Sequence, residues 1–392
     1  MLPIYDVTIL GTGPAGLAAA HRLRNTNLKL LVLDAGKAVD KRDRYSPYDA
    51  TTGDSGAELF SDGKFSFFPS ATALWTLPRN ADLLAAYEWT CETLSARGLS
   101  TPPFPDRPDQ YTPKIGSDDW YLKSYPSDYL SLESRLELVT DMISKIKGTI
   151  INEQRVHDIV YSTLQDNFKL HTFDVVSGEA TIFTTKRLII GTGRFGPLEP
   201  ALKALTEHSS FHRLEVGFRI EQSSNRAFFK DMKLLDPKLR FKMNDGSVEW
   251  CTFCVCREGE AVMTETNGLW TVSGRSDCPA TGRSNSGFNT RVLEGSKAAE
   301  SVRKVVQSMS KQNAYFEVPM VDLIEEEKQA TQLLDGLYGN DLRKAMTTGL
   351  RHLTNVFPDL REDRKAKLIG PTLEGVGWYP TVVLRYFPDR EG

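Results

Sequence analysis

Over Ile4–Leu33 the spacing of apolar residues changes twice. Ile4–Leu10 is a short β-branched and aliphatic run, Gly11–Gly16 is a glycine-rich turn, and Leu17–Arg24 is rich in Ala and Leu at helical spacing. Leu28–Leu33 is then almost continuously apolar and too short for a typical helix, the mark of a parallel strand buried on both faces. The pattern predicts a β-α-β unit at the start of the chain.

From Gly36 to about Pro78 the sequence is irregular and rich in Gly, Ser, Asp and Phe, and structureless stretches of that length are usually functional. Asn80–Arg97 and Ser127–Lys147 carry helical periodicity, the first with Asn80 or Asp82 as N-cap and Gly98 as a stop, and Pro102–Asp119 connects them. Arg155–Leu164, Asn167–Asp174 and Ala180–Thr185 read as an antiparallel meander, followed by a separate buried strand, Leu188–Ile190, that ends in Gly191-Thr192-Gly193. Leu214–Gln222, Val248–Cys256, Ala261–Thr266 and Leu269–Ser273 predict a second, mostly antiparallel sheet. Helical spacing returns at Thr290–Ser310, Val321–Leu337 and Asp341–Phe357.

A chain of 392 residues holds two to three domains' worth of sequence. Its 48 Lys and Arg against 51 Asp and Glu give a net charge of −3, without a basic run that could track a phosphate backbone, so nucleic acid is not an expected partner. Five cysteines, Cys91, Cys251, Cys254, Cys256 and Cys278, are too few and too scattered for a disulfide framework and point to a reducing, cytoplasmic location. Met1–Leu23 lacks the basic start of a signal peptide and is broken by Gly11, Gly13, Pro14 and Gly16, so it reads as part of the fold. No apolar run approaches the roughly 18 residues of a membrane span.

The strongest chemical signal is Gly11-Thr12-Gly13-Pro14-Ala15-Gly16 between a strand and a helix, with Asp34-Ala35 at the end of the next strand. The first glycine permits the tight turn, the second lets a pyrophosphate approach the backbone, and the third lets helix and strand pack closely. The free N–H groups of the helix stabilise phosphate, and Asp34 can accept hydrogen bonds from a ribose diol. This combination predicts dinucleotide binding.

More than 100 residues separate that unit from the next parallel-strand signal, Arg187–Gly193. The interrupted layout, with Ile189-Ile190-Gly191-Thr192-Gly193 as a second fingerprint, resembles the FAD-binding domain of flavoproteins of the glutathione-reductase and p-hydroxybenzoate-hydroxylase type. The resemblance implies FAD as cofactor, Gly191, Thr192 and Gly193 lining its cleft, and adenine contact through the backbone of Val156. Phe60-Ser61-Asp62-Gly63-Lys64, then Cys251-Thr252-Phe253-Cys254-Val255-Cys256 with Gly259-Glu260-Ala261-Val262, then Asn285-Ser286-Gly287 narrow it further. They look like the marker segments of the largely uncharacterised FAD-dependent dehydrogenases, which carry an inserted substrate domain. In related folds the loop holding Lys64 approaches the isoalloxazine, where a cation would stabilise a reduced flavin; the alternative is a solvated loop lysine. Such flavoproteins close with a strand carrying Gly-Asp and a helix aimed at the flavin. This sequence reaches Gly370–Gly377 and then Gly392 without that element, and its Gly53-Asp54 pair stands far earlier, which predicts a truncated form or a flavin end built differently.

Other motifs have competing explanations. Gly191, Gly193 and Gly196 form a second literal GxGxxG with Glu221 beyond it, but Pro197 would interrupt the helix and Leu214–Gln222 reads as an amphipathic strand, so an NAD(P)H fingerprint is the lesser reading. Strict strand alternation puts Cys254 and Cys256 on one face with Trp250 and Thr252 and Cys251 on the other, which argues against a metal site and leaves buried packing or a thiol near the flavin. His208 and His212 are a close pair best read as a polar connector, and Glu325-Glu326-Glu327 as a solvated helix face.

The expected fold is α/β: a discontinuous FAD-binding Rossmann-type domain (1–75, 148–205, 268–310), a helical insertion (76–147), an antiparallel-sheet substrate domain (206–267) and a C-terminal helical segment (311–392). The expected function is hydride transfer between a small-molecule substrate and FAD, with NAD(P)H as a candidate electron partner and no metal. The alternatives are a relative that keeps only the grip on ADP, and a pyridine-nucleotide reductase using both glycine motifs.

Overall fold

The computed structural model describes residues 3–77, 80–113, 115–117, 120–193, 198, 201, 205, 209–211, 214–226, 234–243, 246–293, 295–311, 314–375 and 378–380. Strand β1 (Ile4–Leu10), helix α1 (Pro14–Leu23) and strand β2 (Leu30–Leu33) form the expected opening unit. The six-stranded sheet around it runs in the order 149–151, β2, β1, 180–190, 167–174, 154–162. The first four strands are parallel, and the last two return antiparallel as the meander. β2 is buried at every position, as its unbroken apolar run requires. One expectation changes: Ala180–Ile190 is a single strand, pairing with the meander through Ala180–Thr185 and with β1 through Thr184–Ile190.

The second body is an eight-stranded antiparallel sheet in the order 316–319, 367–375, 214–223, 283–292, 248–256, 238–242, 120–123, 115–116. One face carries Val216, Phe218, Ile220, Trp250 and Phe288 and packs on the helices Gly295–Met309, Met320–Ile324, Lys328–Tyr338 and Asn340–Val356, the largest core of the molecule. Contact there is close: Trp250 donates its Nε1–H to the Ala345 carbonyl at 3.0 Å, and a Cβ at Gly349 would lie 2.3 Å from the indole. A hairpin, Glu260–Thr266 with Leu269–Arg275, lies across the other face.

Several boundaries therefore move. Residues 268–310 do not join the parallel sheet, because Arg283–Val292 sits between 214–223 and 248–256 at the centre of the antiparallel one. The 76–147 insertion contributes helices α2 (Asn80–Ser95) and α3 (Leu132–Ser144) but also the strand Trp120–Lys123 to that sheet, and the C-terminal segment contributes Phe316–Pro319 and Lys367–Gly375. A short alternating strand carries no record of its partner, so sequence assigns it to the nearest neighbour in the chain. Leu214–Ser223 is buried on both faces instead of amphipathic toward solvent. Thr290–Val292 closes a strand, and its helix starts at Gly295. Val321–Leu337 breaks at Glu326, whose φ of 57° ends one helix before the next begins at Lys328, and Glu326 pairs with Arg343 and Arg351 instead of lining a helix face. Among the described residues no helix is long and apolar enough to cross a membrane, and no cluster of His, Cys, Asp and Glu could hold a metal ion.

Candidate dinucleotide site

The glycine turn sits at the carboxyl ends of the parallel strands, where ligands of such sheets bind. Gly11 has φ +93°, and a Cβ there would lie 2.5 Å from the Gly191 carbonyl; one at Gly16 would lie 1.8 Å from the Gly11 carbonyl. Both glycines are therefore demanded by backbone contact. Gly13 differs, since a Cβ there would meet nothing within 4 Å. Gly13 is the N-cap of α1 with no side-chain cap bond, and Pro14 and Ala15 beside it are exposed. The turn thus presents uncapped helix N–H groups to an open space, the arrangement that holds a phosphate.

Asp34 closes the side of the turn. Its Oδ2 accepts from the Thr12 N–H and hydroxyl, each at 2.7 Å, and its Oδ1 from the Gly36 N–H at 2.8 Å. A carboxylate accepts about four hydrogen bonds, so room remains for one ribose hydroxyl. Ala35 follows, its carbonyl taking the Tyr48 hydroxyl at 3.1 Å, and Tyr48 in turn accepts from Arg155 Nη2 at 3.2 Å. Arg155 Nε is buried without a partner, a donor left over at this edge of the site. Val156 is buried with its side chain in the core beneath the parallel sheet, leaving only its backbone for contact with a ligand. Across the turn, Gly191 donates to the Leu10 carbonyl at 2.7 Å, Thr192 is half-buried, and Gly193 is exposed at φ +80°. Arg194–Pro197, which would complete the second glycine motif, lie outside the described residues, as do His208, His212 and Gly377.

The long loop between β2 and α2 folds back over the turn through residues whose importance the spacing did not reveal. Arg42 is buried, donating from Nε to the Asp49 carbonyl at 2.9 Å and from Nη2 to the Gly56 carbonyl at 3.0 Å, with Nη1 on the Asp54 carbonyl. Burial pulls its pKa down to about 10 against the upward pull of Asp34, Asp54 and Asp49. Asp54, from the Gly-Asp pair that stands too early for a terminal flavin element, accepts from Asn152 Nδ2 at 2.8 Å and from the Val39 N–H at 3.0 Å, and burial raises its pKa. The Ser55 N–H reaches the Thr12 carbonyl at 2.8 Å, and Gly56 lies against Gly13. Gly53-Asp54 therefore belongs to the segment that packs on the glycine turn. A lone Arg inside a loop rich in Gly, Ser and Asp was the available signal.

Lys64 is not a solvated loop lysine. Its side chain is 6% exposed, with Nζ 2.9 Å from Asp62 Oδ2, 3.8 Å from Asp236 Oδ1 and donating to the Val255 carbonyl. Burial works against its charge, and Asp62, with Cys256, Asp236 and Cys254 also close by, more than offsets it, so the net shift is upward. Tyr125 donates to Asp236 at 2.9 Å, and its own pKa is raised by burial. Lys64 thus ties the nucleotide unit to the antiparallel sheet. The cysteine strand also departs from simple alternation. Phe253 pairs with Gly287 and Cys256 with Asn285, so a bulge inserts one residue, with Cys254 at φ +45°, and brings Cys256 onto the face of Cys251. All five thiols are free, and burial pushes Cys254 well above the usual thiol range.

The model of the NAD(P)-binding Rossmann-like domain matches residues 9–62, the span from β1 through the folded-back loop. That span of the chain is thus similar to a Rossmann-like dinucleotide-binding domain. A search of curated proteins found no match. Among solved structures, a bacillithiol disulfide reductase from Bacillus cereus is similar at 17% identity over 49% of this chain and 41% of that one, with a TM-score of 0.27. A flavoprotein/dehydrogenase from Cytophaga hutchinsonii aligns at 15% identity over 75% and 57%, with a TM-score of 0.33. An anhydrotetracycline hydroxylase from Streptomyces rimosus aligns at 13% identity over 86% and 50%, with a TM-score of 0.36. The matched region spans about half the length of these proteins. Likeness at this level carries no activity over.

Proposed function

We propose that this chain is an FAD-dependent oxidoreductase that transfers a hydride between a small-molecule substrate and the flavin. The observation that carries the proposal is the uncapped α1 N-terminus at Gly13, open to solvent while Gly11 and Gly16 are closed by backbone, with Asp34 at the end of the next strand. The residues fit the ADP half of such a cofactor. Gly13, Pro14 and Ala15 would face the pyrophosphate, Asp34 the ribose, the backbone of Val156 the adenine, and Thr192 and Gly193 the far side of the cleft. Bound there, the flavin ring would supply two-electron chemistry, accepting or giving a hydride. Lys64, held by Asp62 and Asp236, would put a fixed positive charge where the two bodies meet, and the antiparallel sheet would cover the cofactor and exclude water. Binding at a junction of two bodies is the usual place for a small-molecule site.

The visible absorption spectrum of the purified chain, with mass-spectrometric identification of the small molecule released on denaturation, tests the proposal. Stoichiometric FAD, present or taken up on addition, is the expected result. A colourless protein that refuses FAD overturns it and leaves a protein that grips ADP alone. A second reading has its own support in the description of the matched domain as NAD(P)-binding. If NAD(P)H bleaches a bound flavin with no other substrate present, the chain works as a pyridine-nucleotide reductase.

A further inference from the structure

The face of the eight-stranded sheet turned away from the helices is polar, yet much of it is buried. Pairing places Glu215, Gly217, Arg219 and Glu221 opposite Arg291, Asn289, Gly287 and Asn285. Ion pairs satisfy most of the charges: Arg291 bonds Glu215 and, at 2.9 Å, Glu249, and Arg283 bonds Glu221. Arg219 is not among them. It is 1% exposed, and its guanidinium has only neutral acceptors: Nε donates to Asn285 Oδ1 at 2.5 Å and Nη2 to the Cys254 carbonyl at 2.6 Å, with Cys256 Sγ 3.7 Å away. Among the described residues no carboxylate pairs with it. Asn285, 2% exposed, has committed its oxygen to Arg219, and its Nδ2 meets no acceptor. A buried cation without a counter-charge and a buried amide without an acceptor are each expensive, and here they adjoin.

One group satisfies both. A carboxylate offers two coplanar oxygens, matched to a guanidinium on one side and an amide N–H on the other. The surrounding field favours it, since Lys123, Lys238, Arg240, Arg283 and Arg291 share this face with Glu215, Glu221 and Glu249. The segments beside Arg219 also meet the nucleotide unit. Val255 accepts from Lys64, Asp277 from Arg44, and the hairpin that covers Arg219 docks its tip through Glu265 N–H to the Pro47 carbonyl at 3.0 Å. The cover is tight, as a Cβ at Gly274 would lie 2.4 Å from Arg219 Nη2 and 2.7 Å from Cys256 Sγ. We propose that Arg219 and Asn285 form a clasp for a carboxylate group of the substrate. The word substrate rests on the oxidoreductase function proposed above; the clasp itself does not.

Thermal melting of the purified protein with acetate and benzoate, against acetamide and benzamide as neutral controls at matched ionic strength, tests the clasp while flavin absorbance is followed in parallel. The carboxylates raise Tm and the amides do not. Arg219→Met weakens the apparent carboxylate affinity at least about tenfold. Asn285→Asp, which places the counter-charge inside the protein, raises Tm in plain buffer and abolishes the response, and so keeps the test decisive if the methionine variant fails to fold. The clasp is overturned by equal responses to acids and amides, by a carboxylate response that survives in a folded variant, or by a lowered Tm in Asn285→Asp. It is also overturned by a wild-type protein blind to carboxylates whose ultraviolet thiolate band vanishes in Cys256→Ser, since that thiolate would then be the counter-charge. Flavin-free protein that still answers to carboxylates keeps the clasp and removes the flavin proposal; flavin-loaded protein that does not answer does the reverse.

Discussion

The two sheets build their polar sites from different materials. At the parallel sheet the site is made mainly of backbone: Gly11, Gly13 and Gly16 within one turn and the Gly191 carbonyl set against Gly11, with a single carboxylate, Asp34, just past the end of the adjacent strand. At the antiparallel sheet it is made of side chains from three segments, Arg219, Cys256 and Asn285, packed against the backbone of Gly274 and brought into line by a bulge at Cys254. A backbone site depends on the absence of side chains at fixed short spacings. A side-chain site depends on register, and a one-residue slip turns every member to the other face. The first should be intolerant of added atoms where glycines touch and tolerant where they face the ligand.

The largest expected effect tests that contrast inside one turn. Gly16→Ala forces a Cβ into the Gly11 carbonyl and abolishes both the cooperative melt and flavin uptake, whereas Gly13→Ala, at φ −64° and facing open space, leaves Tm unchanged and weakens FAD at least about tenfold. A Gly13→Ala protein that binds FAD normally would break the assignment of the phosphate position. Arg42→Met comes next, because it strands the carbonyls of Asp49, Asp54 and Gly56 beneath the turn. A loss of about 3 kcal/mol is expected from denaturant melts, with release of flavin before global unfolding.

Lys123 gives a smaller, pH-dependent effect on the cation-rich face. Burial, with Arg240, Lys238 and Arg291 nearby, lowers its pKa to about 8, below that of an unfolded lysine. Between about pH 8 and the ordinary lysine range the unfolded chain therefore holds the extra proton, so stability contributed through this group rises with pH across that window. Lys123→Met should raise Tm at pH 7 and flatten the slope; a slope that persists in the variant assigns the titration elsewhere. The smallest effect is at Val156, whose side chain is core and whose proposed ligand contact is through backbone. Val156→Ile should cost under about 1.5 kcal/mol and leave FAD affinity unchanged; a large loss of affinity would show that the side chain, not the backbone, faces the adenine.

The parts legible in the sequence are those encoded by local period and glycine spacing. The β-α-β opening, the meander, Val248–Cys256 and the helix Asn340–Val356 all follow from windows of a few to some 17 residues. The loop after β2 announced itself by length and composition, but not that Arg42 and Asp54 would be its anchors, since their partners are carbonyls and an Asn that carry no pattern. Lys64 stands out in the sequence as a cation in that loop, while its burial between Asp62, Asp236 and Val255 needed a contact across 191 positions.

The sequence by itself therefore determined the β-α-β unit and its glycine turn, because a tight turn into a helix N-terminus is specified by the few residues that form it. Only the tertiary structure decided the ownership of Arg283–Val292, the face of Cys256 and the isolation of Arg219. Each depends on which strand lies alongside and in which register. That choice is made by burying Phe218, Trp250 and Phe288 against distant helices, and the hydrophobic energy that makes it has no local spelling.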